Sequence, residues 1–229
     1  MEKKTIKIAL DGPSGSGKST LAKGLAAALG YIYIDTGALY RAIGLFAARH
    51  GVSAETPEDV VPLLPLMDLQ MRLENGGNAV YLDGVRLGEE IRTSSASHYA
   101  SQVSKVPEVR AFLLETQRNI ARTNNVIMDG RDIGTVILPD AQVKLYMEAS
   151  PQQRAKRRLL ELLAKGEQIT EEQVLADILR RDANDSGRDI APAKPAEDAV
   201  FLDNSLLTPA ETVEAALAII REKLETVTL

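Results

Sequence analysis

Residues Gly12-Pro13-Ser14-Gly15-Ser16-Gly17-Lys18-Ser19 fill every fixed position of the pattern G-x-x-x-x-G-K-[ST]. The chemistry this string supports is capture of a polyphosphate. Glycine at 12, 15 and 17 lets the backbone curl until successive N–H groups face inward, where they can hold phosphate oxygens, and a following helix adds its positive N-terminal end. Lys18 is long enough to reach the β- and γ-phosphates of a nucleotide. The Ser19 hydroxyl is a hard oxygen ligand suited to Mg²⁺, and Thr20 closes the binding run. Such a lysine, with no nucleotide present, is expected to lie largely in solvent.

Three further clusters could serve the same chemistry. Asp35-Thr36-Gly37-Ala38-Leu39-Tyr40-Arg41 follows an apolar run. The spacing of Thr36 and Arg41 lets one helix start offer a hydroxyl and a guanidinium to a second phosphate, although Thr36 as a plain helix cap and Arg41 as a solvated side chain fit it equally. Val126-Ile127-Met128 runs into Asp129-Gly130-Arg131-Asp132. An Asp ending a buried strand is the usual partner of a phosphate-loop serine in holding Mg²⁺, so Ser19 and Asp129 form the candidate metal pair; the alternative is a turn cap beside an Arg131–Asp132 pair. Arg181-Asp182-Ala183-Asn184-Asp185-Ser186-Gly187-Arg188 is too polar for a core. Together with Arg154, Arg157, Arg158 and Arg180, it supplies mobile positive charge that could close over a transferring phosphoryl group, or else a self-paired solvated face.

Other chemistries find no support. The chain has no cysteine, which excludes disulfides, thiolate nucleophiles and cysteine-held metals. His50 and His98 lack metal-ligand spacing, and neither a G-x-S-x-G nor an H-E-x-x-H string occurs. The strings D-x-x-G and N-K-x-D, expected of a guanine-nucleotide switch, are also missing. With 27 basic and 32 acidic residues the net charge is −5, which argues against a nucleic-acid partner. Met1-Glu2-Lys3-Lys4 leads straight into a strand pattern and no apolar run reaches the ~20 residues of a membrane helix, so a cytoplasmic protein with no membrane partner is expected.

The elements that must position these residues alternate. Thr5–Leu10, Tyr31–Ile34, Val126–Met128, Val143–Met147 and Ala199–Leu202 read as strands of a five-stranded parallel sheet flanked by helices, an α/β three-layer arrangement for 229 residues. Helix starts are marked at Ser150-Pro151, at Thr170 with Gln173, and at Thr208-Pro209 with Glu211. From Asp68 to Ile91 the period changes. Leu69–Leu73 and Ala79–Leu82 alternate around Asn75-Gly76-Gly77-Asn78, with Asp83-Gly84 next, and predict a small antiparallel insert entered past Pro57, Pro62 and Pro65. Helical patterns at Ser94–Val103 and Pro107–Arg122 return the chain to the main sheet. The Thr170–Arg180 pattern predicts a helix that ends before the polar Arg181–Arg188 run, and Ala191–Ala196 reads as an extended connection.

These four clusters, in their order and spacing, resemble the bacterial cytidylate kinases over essentially the whole chain. The resemblance implies a single nucleoside monophosphate kinase unit. Its core would be 1–60, 92–150 and 190–229, with an acceptor-binding insert at about 61–91 and a helical lid at about 151–189. It implies transfer of the γ-phosphoryl group of ATP, with Mg²⁺, to CMP or dCMP; independently of the resemblance, a monomer is the default expectation. Arg41, Arg131 and Arg188 would grip the acceptor phosphate, Ser101, Arg110 and Asp132 would read cytosine, Arg181 and Asp185 would approach the sugar, and Thr36 would keep a hydroxyl role. A kinase for another small acceptor and a non-catalytic ATP-binding module are the alternatives.

Overall fold

The structure is a computed structural model that describes residues 5–53, 56–75, 77–164 and 166–228. Met1–Lys4, where the chain was read as leaderless, and Gly76 of the hairpin turn lie outside the described residues. The chain opens with β1 (Lys7–Asp11), α1 (Lys18–Leu29), β2 (Ile32–Asp35) and α2 (Gly37–Arg49). The one-turn helix α3 (Pro57–Val60) and a 3₁₀ turn at Val61–Leu66 lead into β3 (Leu69–Glu74), β4 (Gly77–Leu82) and β5 (Val85–Arg86). Then follow α4 (Ser94–Val103), α5 (Pro107–Thr123), β6 (Val126–Asp129) and β7 (Val143–Glu148). The helical hairpin α6 (Pro151–Ala164) and α7 (Glu171–Ser186), β8 (Val200–Asp203) and α8 (Pro209–Thr228) complete it.

Five strands form one parallel sheet in the order β2-β6-β1-β7-β8, as the apolar runs predict. Strand β1 is central because Ile8, Ala9 and Leu10 carry no polar group and can be covered on both faces, and all three are fully buried. One face packs on α1 and α8 through Leu21, Leu25, Ala216 and Ile220; the other gathers Ile34, Met128, Ile133 and Ile137 under Ala121 of α5. Burying each Leu or Ile contributes about 1.5–3 kcal/mol. Strand β1 starts at Lys7 rather than the expected Thr5: the Ile6 carbonyl still accepts from the Val126 N–H of β6, but its own N–H donates to the Asn125 side chain and the Thr5 hydroxyl donates to the Ala121 carbonyl.

Strands β3, β4 and β5 form the expected antiparallel sheet. Its first turn is tighter than the four residues expected: Gly77 pairs with Glu74 and Asn78 with Leu73, and Asn75 takes the left-handed conformation at φ 49° that a two-residue hairpin needs. The insert shares a core with α2, α4 and α5 through Val80, Leu82, Ile43, Phe46 and Leu113.

The α6–α7 hairpin carries its own small core of Ala155, Leu162, Val174 and Ile178. Thr170 and Gln173 form the reciprocal capping box. Helix α7 runs past Arg180 to Ser186, which corrects the expectation that it ends before Arg181. Polarity does not end a helix, and the first residue able to do so is Gly187, which caps it. The following coil is tied back by the Ala193 N–H donating to the Asp185 carbonyl at 2.8 Å.

Candidate active site

Parallel topology brings the carboxyl ends of β1, β2 and β6 side by side, with Leu10 opposite Asp129 and Asp35 opposite Asp129 in register. Ligands of such sheets bind at this edge, where the strand order switches direction. The phosphate loop leaves β1 here, and its geometry explains its glycines. Gly12, Gly15 and Gly17 have φ of 145°, 74° and 91°, and a Cβ on Gly12 would lie 2.4 Å from the Met147 carbonyl oxygen. Gly17 ends the loop as the left-handed cap of α1, so the helix N-terminus opens onto it.

A cavity of about 620 Å³ lies over this edge. Ser14, Gly15, Gly17, Lys18, Ser19 and Thr20 line it, while Gly12, Pro13 and Ser16 form the back of the loop. Thr36, Arg41, Ser101, Arg110, Asp129, Arg131, Asp132, Arg181, Asp185 and Arg188 line the same cavity. The tertiary fold therefore gathers all four sequence clusters around one space.

Lys18 is not solvated as expected. It is 95% buried: its Nζ folds back on the loop, donating to the Pro13 carbonyl at 2.6 Å and to Ser16 Oγ at 3.2 Å. Burial, and then Arg131, push its pKa well below the ordinary lysine value. The loop's own Pro13 carbonyl and Ser16 hydroxyl supply what water would have supplied.

Ser19 donates to Asp129 Oδ2 at 2.8 Å and the Tyr33 hydroxyl donates to Oδ1 at 3.1 Å. Burial first, and then the Asp35 charge, push the Asp129 carboxyl up to about 6. A hydroxyl and a carboxylate in contact make a hard-oxygen pair of the kind Mg²⁺ takes. Among the described residues no group of three or more His, Cys, Asp or Glu side chains is placed to hold a metal ion.

Thr36 occupies the N-cap position of α2 but does not cap it. Its hydroxyl donates to the Asp129 carbonyl at 2.8 Å, and Asp35 Oδ1 accepts from the Ala38 N–H instead. Arg41 is not a solvated side chain. Its Nη2 donates to Asp35 Oδ2 at 2.7 Å, while its Nε is buried with no partner. The Ser101 hydroxyl on α4 is likewise buried and unpartnered. Buried polar atoms left over in a lined cavity fit an incoming anion and an incoming polar base.

At the start of α5, Arg110 pairs with Asp132, both side chains nearly fully buried, and its other nitrogen donates to the Ser104 carbonyl. Burial raises the Asp132 carboxyl, a trend that Arg110 and Arg188 oppose. Asp132 thus pairs with Arg110, not with Arg131, because a π-helical turn at Ile133–Ile137 reorients the chain after β6. That turn is marked by Leu138 N–H bonding to the Ile133 carbonyl at 2.7 Å. Asp185 accepts from Arg131 Nε and from Arg188 Nη2, each at 2.9 Å, so one carboxylate holds two guanidinium groups together.

Asp11, Asn204 and Tyr33 carried no role in the sequence reading, and Arg154 and Arg157 entered it only as members of the arginine-rich stretch. Asp11, ending β1, accepts from the Ile133 and Gly134 N–H groups at 2.8 Å each and anchors that π-helical turn; burial raises its carboxyl to about 6. Arg154 is 3% exposed and joins the Ser14 carbonyl to Asp182, docking the α6–α7 hairpin on the phosphate loop. Arg157 and Asn204 both reach the Ser16 carbonyl. The i, i+3 spacing of Arg154 and Arg157 on one helix was the available signal. Nothing in the sequence marks Asn204 or Tyr33.

Comparison with known proteins agrees with this geometry. The family model described as cytidylate kinase matches residues 8–222. A cytidylate kinase of Caldicellulosiruptor saccharolyticus is 47% identical over 214 residues, covering 93% of this chain and 95% of the relative. One from Caldanaerobacter subterraneus subsp. tengcongensis is 48% identical over 218 residues, with 95% and 96% covered. A crystal structure of an uncharacterized protein from Eubacterium ventriosum superposes with a TM-score of 0.52 at 13% identity, over 96% of this chain and 99% of that one, a likeness of fold alone. A phosphate loop, a five-stranded parallel sheet, an antiparallel insert and near-half identity along almost the whole length together show that the chain belongs to the cytidylate kinase family.

Proposed function

We propose that this protein transfers the γ-phosphoryl group of ATP to CMP or dCMP, giving ADP and the corresponding diphosphate. The observation that carries the reading is the shared cavity: the phosphate loop and every expected acceptor-side residue line one space.

In this reading the loop N–H groups and Lys18 hold the donor phosphates, with Lys18 leaving the Pro13 carbonyl for them. Arg41, Arg131 and Arg188 hold the acceptor phosphate, Arg41 through its unpartnered Nε. An acceptor phosphate oxygen forms a new bond to the γ-phosphorus as the bond to the β–γ bridging oxygen breaks, and that oxygen leaves on ADP. No general base is required, because the acceptor oxygen is already anionic near neutral pH. Ser19 and Asp129 are the residues for Mg²⁺, which when bound neutralises charge building on the phosphoryl oxygens. Catalysis then rests on alignment and positive charge held in a partly buried site.

Asp132 and Arg110 offer an acceptor beside a donor. Cytosine offers an N4 donor beside N3 and O2 acceptors; uracil presents a carbonyl where the N4 donor stands and would set it against the Asp132 carboxylate. Arg181 and Asp185 face the sugar. Residues 151–189 act as the lid over the donor, and about 61–91 as the acceptor-binding insert on a core of 1–60, 92–150 and 190–229. A cytoplasmic monomer completes the reading; the net charge of −5 supports the absence of a nucleic-acid partner.

The test is ADP production from Mg²⁺-ATP with CMP, dCMP, UMP, AMP, GMP or no acceptor. Turnover with CMP and dCMP well above the others is the expected result. A different preferred acceptor overturns the base-reading assignment, and ATP binding without transfer overturns the kinase.

A further inference from the structure

Strand β2 is an edge of the parallel sheet, so on its outer side the backbone has no strand to pair with. The antiparallel insert fills that place with a side chain. Asn78 Oδ1 on β4 accepts the Asp35 N–H at 2.8 Å, and Gly77 beside it lies against the Tyr33 carbonyl, close enough that a Cβ there would make an ordinary contact at 3.6 Å. Among the described residues this is the hydrogen bond that joins the insert to the end of β2. Asp35 in turn sets Arg41: Oδ1 caps α2 at Ala38 and Oδ2 takes Arg41 Nη2. Gly37 leaves the guanidinium room, since a Cβ there would lie 2.8 Å from Arg41 Nη1. The outcome is an Arg41 whose Nε is buried and free to meet an anion in the cavity.

We propose that Asn78 is a positioning residue for the acceptor phosphate, acting through Asp35 on Arg41. This rests on the kinase reading above. Asn78 is poorly explained as a stabilising residue. With Oδ1 committed to Asp35, its Nδ2 is buried with no partner, and a half-satisfied buried amide contributes little net stability. What the amide does supply is a defined distance between the insert and the turn that carries Arg41, so that the insert and the phosphate grip are aligned together.

The test measures KM for CMP, KM for ATP, kcat and Tm in Asn78→Ala, with CMP affinity measured calorimetrically without ATP. KM and Kd for CMP are expected to rise roughly tenfold, the scale of a misplaced charge-assisted hydrogen bond, with KM for ATP and Tm near the wild-type values. In an Arg41→Ala background the same substitution is expected to add less than ~2-fold, because the two residues act in one chain. Asn78→Leu preserves volume without the acceptor and is expected to behave as the alanine variant does; it also provides a folded variant if alanine destabilises the insert. Four outcomes overturn the proposal: unchanged CMP affinity, loss of ATP and CMP binding in step with Tm, full additivity with Arg41→Ala, or wild-type affinity in Asn78→Leu. If wild-type protein does not phosphorylate CMP at all, it is the kinase reading that fails.

Discussion

The Ser19 hydroxyl donates to Asp129 Oδ2 at 2.8 Å, joining the first turn of α1 to the last residue of β6 across 110 positions of sequence. Tyr33 from β2 holds the other carboxylate oxygen, so three elements meet on one buried acid.

That acid has its carboxyl raised to about 6 from an ordinary 3.8. The folded protein thus binds the proton more tightly than the unfolded chain, and ionisation of Asp129 opposes folding. The penalty is fully present above about pH 6 and fades as pH falls through 6 toward 3.8. Asp129→Asn should accordingly raise Tm at pH 8 more than at pH 5 while lowering kcat by roughly 100-fold or more. Thermal unfolding at the two pH values, beside ADP production, checks both halves; a fall in Tm at pH 8 would count against the burial argument.

Lys18 has the opposite charge but shares the same cost. Its pKa is lowered by burial and by Arg131, so the folded state disfavours its protonated form, and its contribution to stability improves only as pH rises toward the unfolded lysine value. Lys18→Met, which keeps the stem and removes the ammonium, should leave Tm at pH 7 equal to or above wild type while phosphoryl transfer drops by about 10³-fold. A variant with near-normal turnover would remove Lys18 from the site.

Arg110 and Asp132 pair in the cavity wall with side chains 9% and 6% exposed. Asp132→Ala leaves a buried guanidinium uncompensated, a loss of about 3–5 kcal/mol. The same change should lower the preference for CMP over UMP, read as the ratio of kcat/KM values in the folded variant. An unchanged ratio would assign the pair to structure alone.

Gly12 is held at φ 145° with the Met147 carbonyl behind it. Gly12→Ala combines a backbone conformation that side chains rarely adopt with a collision against main chain, which cannot move aside as a side-chain tip can. The expected loss is about 2 kcal/mol or more, or roughly 4–8 °C in Tm for a domain of this size. Binding of ATP should fall with it, because the loop must shift.

Much of the fold was legible because its signals are local. A strand, a glycine-rich turn and a helix leave their periodicity and punctuation in consecutive residues, so five strands, the insert and the capping box at Thr170 could be located from order alone. The phosphate loop was the clearest case. Its signal lies in consecutive residues whose backbone geometry needs three glycines, while Met147, Arg154 and Asn204 complete its surroundings from elsewhere in the chain.

Pairings across the chain were not legible. Thr36 bonding to Asp129 rather than capping α2, Arg110 pairing with Asp132, and Asp185 holding Arg131 all depend on which elements the fold makes neighbours. Helix α7 continued to Ser186 because polarity alone does not end a helix and no residue able to stop it occurs before Gly187. Sequence by itself thus determined the chemistry available to this protein: a polyphosphate grip, two acids and a supply of arginines. Only the tertiary structure decided which acid meets which base, because charge pairing depends on distance and burial, and these exist only once the sheet has closed.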